Sequence, residues 1–381
     1  MSHNSNVTIN NTVINNNESI AYSSGGGLCL SDSELTINNS TISNNQTNNY
    51  GGGIALFNSG ANLDIATVQN NVSNADGGGI YINSNENDVY LSNSLFINNL
   101  ALNHGGGIAS LNSSAYLHDS IISDNESNRG GGIFIQDSPG GFTIENSEID
   151  GNNSNYYAGG IWVMNSTVDM DSVIVNNNYS GDLGGGGILI SSSTANLENM
   201  VISNNIAETK GGGISIMTSG DNISFNNSII NENSAGEQGG AIWMNQSQQL
   251  LFNNLTIANN MSEEGSIVYV HGTAGPIFKN SIIAYNDDPG IEIIEDSASP
   301  TFLYSNLYAN GYINDAYIGE GSINEDPLFC NEEEFTLYNN SPCLESGENG
   351  SNMGAANIGC ENQSLEGCTD PLANNYNLDA N

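Results

Sequence analysis

Positive charge is almost absent from this chain: three of its 381 residues are lysine or arginine, against 42 aspartates and glutamates. A net charge of −39 excludes functions that work by gathering cations onto phosphate backbones or anionic membranes, so no nucleic-acid partner is expected. The acidic count is ordinary. The deficit is of lysine, and a surface of Asn, Ser and Asp without it suits an extracellular or cell-surface location rich in cations. Long apolar runs are missing too, none approaching the ~20 residues of a membrane span, so no membrane insertion is expected. The opening "MSHNSNVTINNTVINNN" has neither the charged start nor the apolar centre of a signal peptide. We expect a fragment of a longer exported protein.

What the chain has instead is repetition. The element Gly-Gly-Gly-aliphatic stands at Gly25 to Leu28, Gly51 to Ile54, Gly77 to Ile80, Gly105 to Ile108, Gly130 to Ile133, Gly185 to Ile188 and Gly211 to Ile214. Weaker copies are Gly159-Gly160-Ile161, Gly239-Gly240-Ala241-Ile242 and Gly265-Ser266-Ile267. A lone glycine run could cradle a phosphate, but a run that recurs down the chain describes an architecture. The glycines are read as corners where copies stack closely and where positive φ is needed.

A second landmark is an aliphatic residue or Phe followed three positions later by Asn. It runs Ile14/Asn17, Ile42/Asn45, Val68/Asn71, Phe96/Asn99, Ile122/Asn125, Ile149/Asn152 and Ile174/Asn177. It continues as Ile202/Asn205, Ile230/Asn233, Ile257/Asn260, Ile283/Asn286 and Leu307/Asn310. Asn tolerates the left-handed conformation, and its amide both donates and accepts, so identical turns would stack their Asn side chains into a ladder. Between the landmarks apolar residues alternate, as in Ile80/Ile82 and Val89/Leu91. Period two with β-branched residues means strands. No room is left for helices.

The reading is an all-β, single-stranded right-handed parallel β-helix with coils of 24 to 28 residues. It would have about eleven or twelve coils and span ~55 Å at one strand spacing per coil. Right-handed winding follows the crossover rule for parallel strands. We assign 1–310 to the coils, 311–362 to a closing segment and 363–381 to a tail motif.

The signals "GGGI", "GGAI" and "FINN" (Phe96 to Asn99) resemble the repeats of polymorphic outer-membrane proteins and related right-handed β-helix proteins. The resemblance implies the pectate-lyase-like fold and a surface location, and points toward adhesion. "DPLFC", "SPC" and "GAANIGC" are similar to segments that close bacterial β-helix domains. "GCTDPLANNYNLDAN" is similar to the start of a Cys-bounded repeat of secreted bacterial proteins. Among Cys330, Cys343 and Cys360 we expect one disulfide, with the pairing open and Cys29 free.

The pectate-lyase-like fold hosts lyases and hydrolases, so catalysis needs testing. A lyase needs a basic residue and usually Ca²⁺ on clustered carboxylates, yet only Arg129, Lys210 and Lys279 are available. Neither "GHG" nor "RIK" occurs, and "NDDPG" holds the only adjacent Asp pair. Asp76, His104 and Arg129 immediately precede glycine clusters in three successive coils, with Tyr50 and Tyr157 on either side. They are the candidates if the protein is catalytic; a self-neutralising charged row on an exposed loop is preferred.

A second column suggests binding. The residue between the two inward aliphatics points outward: Cys29, Ala55, Tyr81, Ala109, Phe134, Trp162, Leu189, Ser215, Trp243, Val268. Outward aromatics on a flat sheet suit stacking on sugar rings, so Tyr81, Phe134, Trp162 and Trp243 are the candidate ligand-binding residues. The bland alternative is that loops cover them. Asp370, Asn375, Asn377 and Asp379 make an oxygen-rich loop of the kind Ca²⁺ takes. Their spacing is not that of an EF-hand, and a solvated tail is preferred, so no cofactor is assigned. The expected function is a non-catalytic stalk or adhesin-like module binding a polysaccharide or cell-surface glycan, with a polysaccharide lyase or glycoside hydrolase as the alternative.

Overall fold

A computed structural model of the chain describes all residues except 1, 21–22, 84–87, 139, 219–221, 247–249, 273–274, 287–290, 294–299, 312, 314–316, 332 and 362–381. The adjacent Asp pair and the four tail residues Asp370, Asn375, Asn377 and Asp379 lie outside the described residues.

The chain is a parallel β-solenoid. The strands that follow the glycine clusters, from Ser2–His3 and Leu28–Ser31 to Ile291–Ile293, form one twelve-stranded sheet. The strands before each ladder Asn, such as Glu34–Ser43 and Gly60–Gln69, form a second, larger sheet. Short strands after that Asn, from Glu18–Ser19 to Met261–Ser262, form a third sheet of ten. About ten turns are therefore complete on every face, slightly fewer than the repeat count suggests. Coils pair in parallel and in register, so Ile54, Ile80 and Ile108 are direct neighbours.

Alternation places Ile80/Ile82 and Val89/Leu91 in the interior, with no exposure. Phe225, Phe252, Phe278 and Phe302 stack along the interior near the C-terminal end. Burying each such side chain contributes ~1.5–3 kcal/mol.

Three corners per coil are closed by side-chain ladders. Asn45 Nδ2 donates to Asn71 Oδ1 at 2.9 Å, and Asn71 to Asn99 at 3.0 Å. Each such oxygen also accepts the backbone N–H of the Asn before it, as Asn71 Oδ1 does from Asn45. Two serine ladders, unforeseen in the sequence, close the other corners: Ser94 N–H donates to Ser120 Oγ, and Ser138 N–H to Ser166 Oγ. The left-handed conformation falls one residue before each ladder position, at Asn44, Asn70 and Asn98, and at Asn93 and Asp137. The ladder Asn itself does not adopt it. A two-part corner explains the abundance of Asn-Asn and Asn-Ser pairs: one residue bends the chain and the next bonds across coils.

One ladder assignment needs correction. In "IVNNNYS" the ladder residue is Asn178, whose Oδ1 accepts from Asn152 at 3.0 Å and whose Nδ2 donates to Asn205 at 2.9 Å. Asn177 is the left-handed residue (φ 55°), exposed and bonded to Asp150. Val175, not Ile174, points inward.

The glycines divide the work. The first glycine of every three-glycine cluster has positive φ, +62° at Gly105 and +75° at Gly185. The second is fixed by proximity: a Cβ on Gly106 would lie 2.4 Å from the carbonyl of Gly131. They are structural, as the repeat implied.

The segment around 318–360 folds back over the last coils. Ile318 and Ile323 bridge to Phe302 and Asn306. Leu337, Cys343 and Met353 bury Ile282 and Ala284 on the outer side of the second sheet, and Ala355 N–H donates to Thr256 Oγ1. Cys330 pairs with Cys360. Cys343 is a free, buried thiol that burial pushes up to about 11, and Cys29 is free and half-buried.

Candidate functional site

The outer face of the glycine-side sheet carries the residues that depart most from the Asn/Ser repeat. They lie in two rows. The residue before each glycine cluster forms the first, because the glycine amide donates to the next coil's carbonyl. Gly51 N–H bonds Asp76 O, Gly77 bonds His104 O, Gly105 bonds Arg129 O, and Gly130 bonds Tyr157 O. Gly185 continues to Lys210 O. The row thus runs Tyr50, Asp76, His104, Arg129, Tyr157, Gly184, Lys210, and Asp76, His104 and Arg129 do stand on consecutive coils.

The second row is the outward residue of each strand, from Cys29 through Tyr81, Phe134, Trp162 and Trp243 to Tyr269. Tyr269, not Val268, follows Trp243 in it. Ile267 occupies the third position of the degraded glycine cluster beside Ala241, so Val268 aligns with Ile242 and enters the core.

These rings were expected to stand open, and they do not. Tyr81, Phe134, Trp162 and Trp243 lie outside the coil interior, yet none exceeds 8% exposure. The first row covers them. Tyr50 stacks on Tyr81 (centroids 4.5 Å), His104 on Phe134 (4.5 Å), and Tyr157 on Trp162 (5.1 Å). The Lys210 Nζ sits 5.6 Å from the centre of the Trp243 ring.

The packing has a rule that the sequence carried. Tyr50, His104 and Lys210 each lean onto the aromatic ring of the next coil. In their own coils the second-row residue is small: Ala55, Ala109 and Ser215. Where a small second-row residue precedes an aromatic one on the next coil, the bulky first-row side chain fills the gap.

Asp76 Oδ1 lies 2.7 Å from His104 Nδ1. The carboxylate holds one imidazole nitrogen, and Phe134 covers one ring face. Arg129 joins neither. Its guanidinium leans over Tyr156 and Tyr157 at 5.8 and 6.0 Å. Among the described residues no carboxylate lies within ion-pair distance of Arg129 or Lys210, whereas Lys279 pairs with Glu348. Burial raises the Tyr81 phenol above its ordinary value.

Chemically, this face offers aromatic edges, unpaired cations and a carboxylate-held imidazole along one line. No group of three His, Cys, Asp or Glu among the described residues is placed to hold a metal ion. No helix among them is long and apolar enough to cross a membrane.

A family model described as a right handed beta helix region matches residues 64–230 and 199–341. The chain belongs to the right-handed β-helix family. Those matches run from the third coil into the closing segment, so the winding of this β-helix is right-handed, as the crossover rule requires. None of the curated proteins compared with it matches.

Proposed function

We propose that this β-helix is an extracellular or cell-surface module that binds a glycan along its glycine-side outer face, without catalysis. One observation carries the reading: both tryptophans and two of the three Lys and Arg residues lie in the two rows of a single face. The half-buried edges of Tyr50, His104, Arg129 and Tyr157, with the exposed Tyr156, would meet the ligand. Tyr81, Phe134, Trp162 and Trp243 would form the floor that holds them. Rigid aromatics placed this way suit sugar rings, and a few of them carry most of such binding. The test is a glycan array probed with the parent chain and with Tyr156→Ala. We expect a bound glycan whose affinity falls by about 1–2 kcal/mol in the variant. An array with no bound glycan removes the reading.

The Asp76–His104 contact favours a second reading, a polysaccharide lyase or glycoside hydrolase, because a carboxylate-oriented imidazole can carry a proton. Cleavage of uronans that disappears in His104→Gln would establish it.

A further inference from the structure

A groove runs along the outer side of the second sheet, beside the corner that Ser120 and Ser147 close. Its floor is the first outward residue after that corner. Strand pairing aligns this column coil by coil, from Ile121, Glu148 and Ile174 to Thr256 and Ile282.

At the C-terminal coils the closing segment fills the groove. Glu348 N–H donates to Asn280 Oδ1 and Gly354 N–H to Asn280 O, both at 2.7 Å, and Ala355 N–H donates to Thr256 Oγ1 at 3.0 Å. The backbones approach closely, since a Cβ on Gly354 would lie 2.7 Å from Ile282 Cδ1. On the rim Lys279 pairs with Glu348. Thr256 and Ile282 are buried under this segment.

Three coil steps from Thr256, ~14 Å along the axis, the same column lies open. Ile174 is 41% exposed and Ile121 37%, and both line the groove with Glu148 between them. Aliphatics aligned in an open groove mark an interaction site more often than scattered ones do. The corner chemistry repeats as well. Asn280 Nδ2 donates to Asn253 Oδ1 of the preceding coil, and Asn199 Nδ2 donates in the same way to Asp171 Oδ1 at 2.7 Å.

The rim changes sign. The column that ends in Lys279 carries Glu145, Asp171 and Glu198 on three consecutive coils of the open stretch. Among the described residues no cation pairs with these three or with Glu148.

We propose that the open stretch of this groove binds an extended segment of a partner protein in which Lys or Arg stand among apolar side chains. The groove lies on a different face from the glycan reading and does not depend on it. The filled end is the template: backbone N–H groups reach corner oxygens, the outward column is covered, and a rim charge meets its opposite on the occupant. An acidic rim calls for a basic occupant by the same complementarity. That requirement excludes the chain itself. Residues 362–381 carry three carboxylates and no Lys or Arg, and a second copy offers only Arg129, Lys210 and Lys279. The first two lie on the glycine-side face, and the third is paired with Glu348.

The experiment selects a phage-displayed library of random dodecapeptides on the immobilised full chain, then measures the enriched peptides, dye-labelled, by fluorescence anisotropy. We expect enriched peptides that combine Lys or Arg with aliphatic residues. The triple variant Glu145→Gln/Asp171→Asn/Glu198→Gln should weaken their binding about tenfold or more, and so should Ile121→Ser/Ile174→Ser, which leaves the charge unchanged. A control triple of the same charge change on other faces, Glu126→Gln/Glu263→Gln/Glu264→Gln, should weaken it by less than about threefold. The inference is wrong if no peptide is enriched, if the control triple costs as much as the groove triple, or if the double serine variant binds like the parent. A parent dimer that becomes monomeric in the double serine variant would make the occupant a second copy. Peptide affinity that rises in Leu372→Ser/Leu378→Ser would make it the tail, and either result also overturns the inference.

Discussion

Asn152 donates its Nδ2 to Asn178 Oδ1 at 3.0 Å, and the backbone N–H of Asn152 donates to the same oxygen at 2.9 Å. Each rung thus locks the next, and the oxygen of a fully buried amide has both of its lone pairs filled. That repeated relationship keeps the coils in register over the length of the solenoid.

Replacing a rung leaves buried donors with nothing to bond. Asn178→Leu should lower stability by about 1–3 kcal/mol, while Asn177→Leu, one residue away and exposed, should cost less. Thermal unfolding of the two variants side by side checks this, and equal losses would mean that the ladder contributes nothing special.

Glycines of the cluster should differ in tolerance. Gly106→Ala drives a methyl group to 2.4 Å from a neighbouring carbonyl and should cost ~1–3 kcal/mol or more, since the backbones must part. Ala158 already occupies the first cluster position with φ 50°. Ala158→Gly should change stability by less than about 1 kcal/mol. Denaturant midpoints decide between them.

The Cys330–Cys360 disulfide ties the closing segment to itself, not to the coils. Cys330→Ser should lower stability by ~2–4 kcal/mol, and the loss should be local. Amide hydrogen exchange is expected to rise first in 336–360 and in the outer positions that segment covers, Thr256 and Ile282, while Ile80 and Ile108 stay protected. Uniform loss of protection would show that the coils depend on it directly.

Tyr179 gives a spectroscopic handle on the surface. Its phenol bonds Glu208, and that hydrogen bond, followed by burial and the carboxylate's charge, pushes it up to about 12. A folded value above the unfolded one means that the contact stabilises fully below about pH 10 and is lost as pH rises toward 12. Phenolate absorbance during alkaline titration should lose a late component in Tyr179→Phe. Glu208→Gln should bring that component down toward the ordinary tyrosine range.

The sequence by itself determined the winding. Glycine clusters and aliphatic-x-x-Asn landmarks recur once per coil, and a period-two pattern within a fixed repeat leaves only a stack of parallel strands. The role of the glycines and the existence of an Asn ladder were readable because each depends on identity at a repeating position. Three things were decided only in three dimensions. Asn176, Asn177 and Asn178 are chemically identical, so the ladder residue there is set by which of Ile174 and Val175 reaches the interior. The disulfide pairing among Cys330, Cys343 and Cys360 depends on how a non-repeating segment folds back. Above all, Tyr81, Phe134, Trp162 and Trp243 do point outward, but Tyr50, His104, Tyr157 and Lys210 close over them. That cover comes largely from adjacent coils, about thirty residues away in sequence, across a gap left by small neighbours such as Ala55 and Ala109. Periodicity reports which way a side chain points; what lies on top of it is a property of packing between coils.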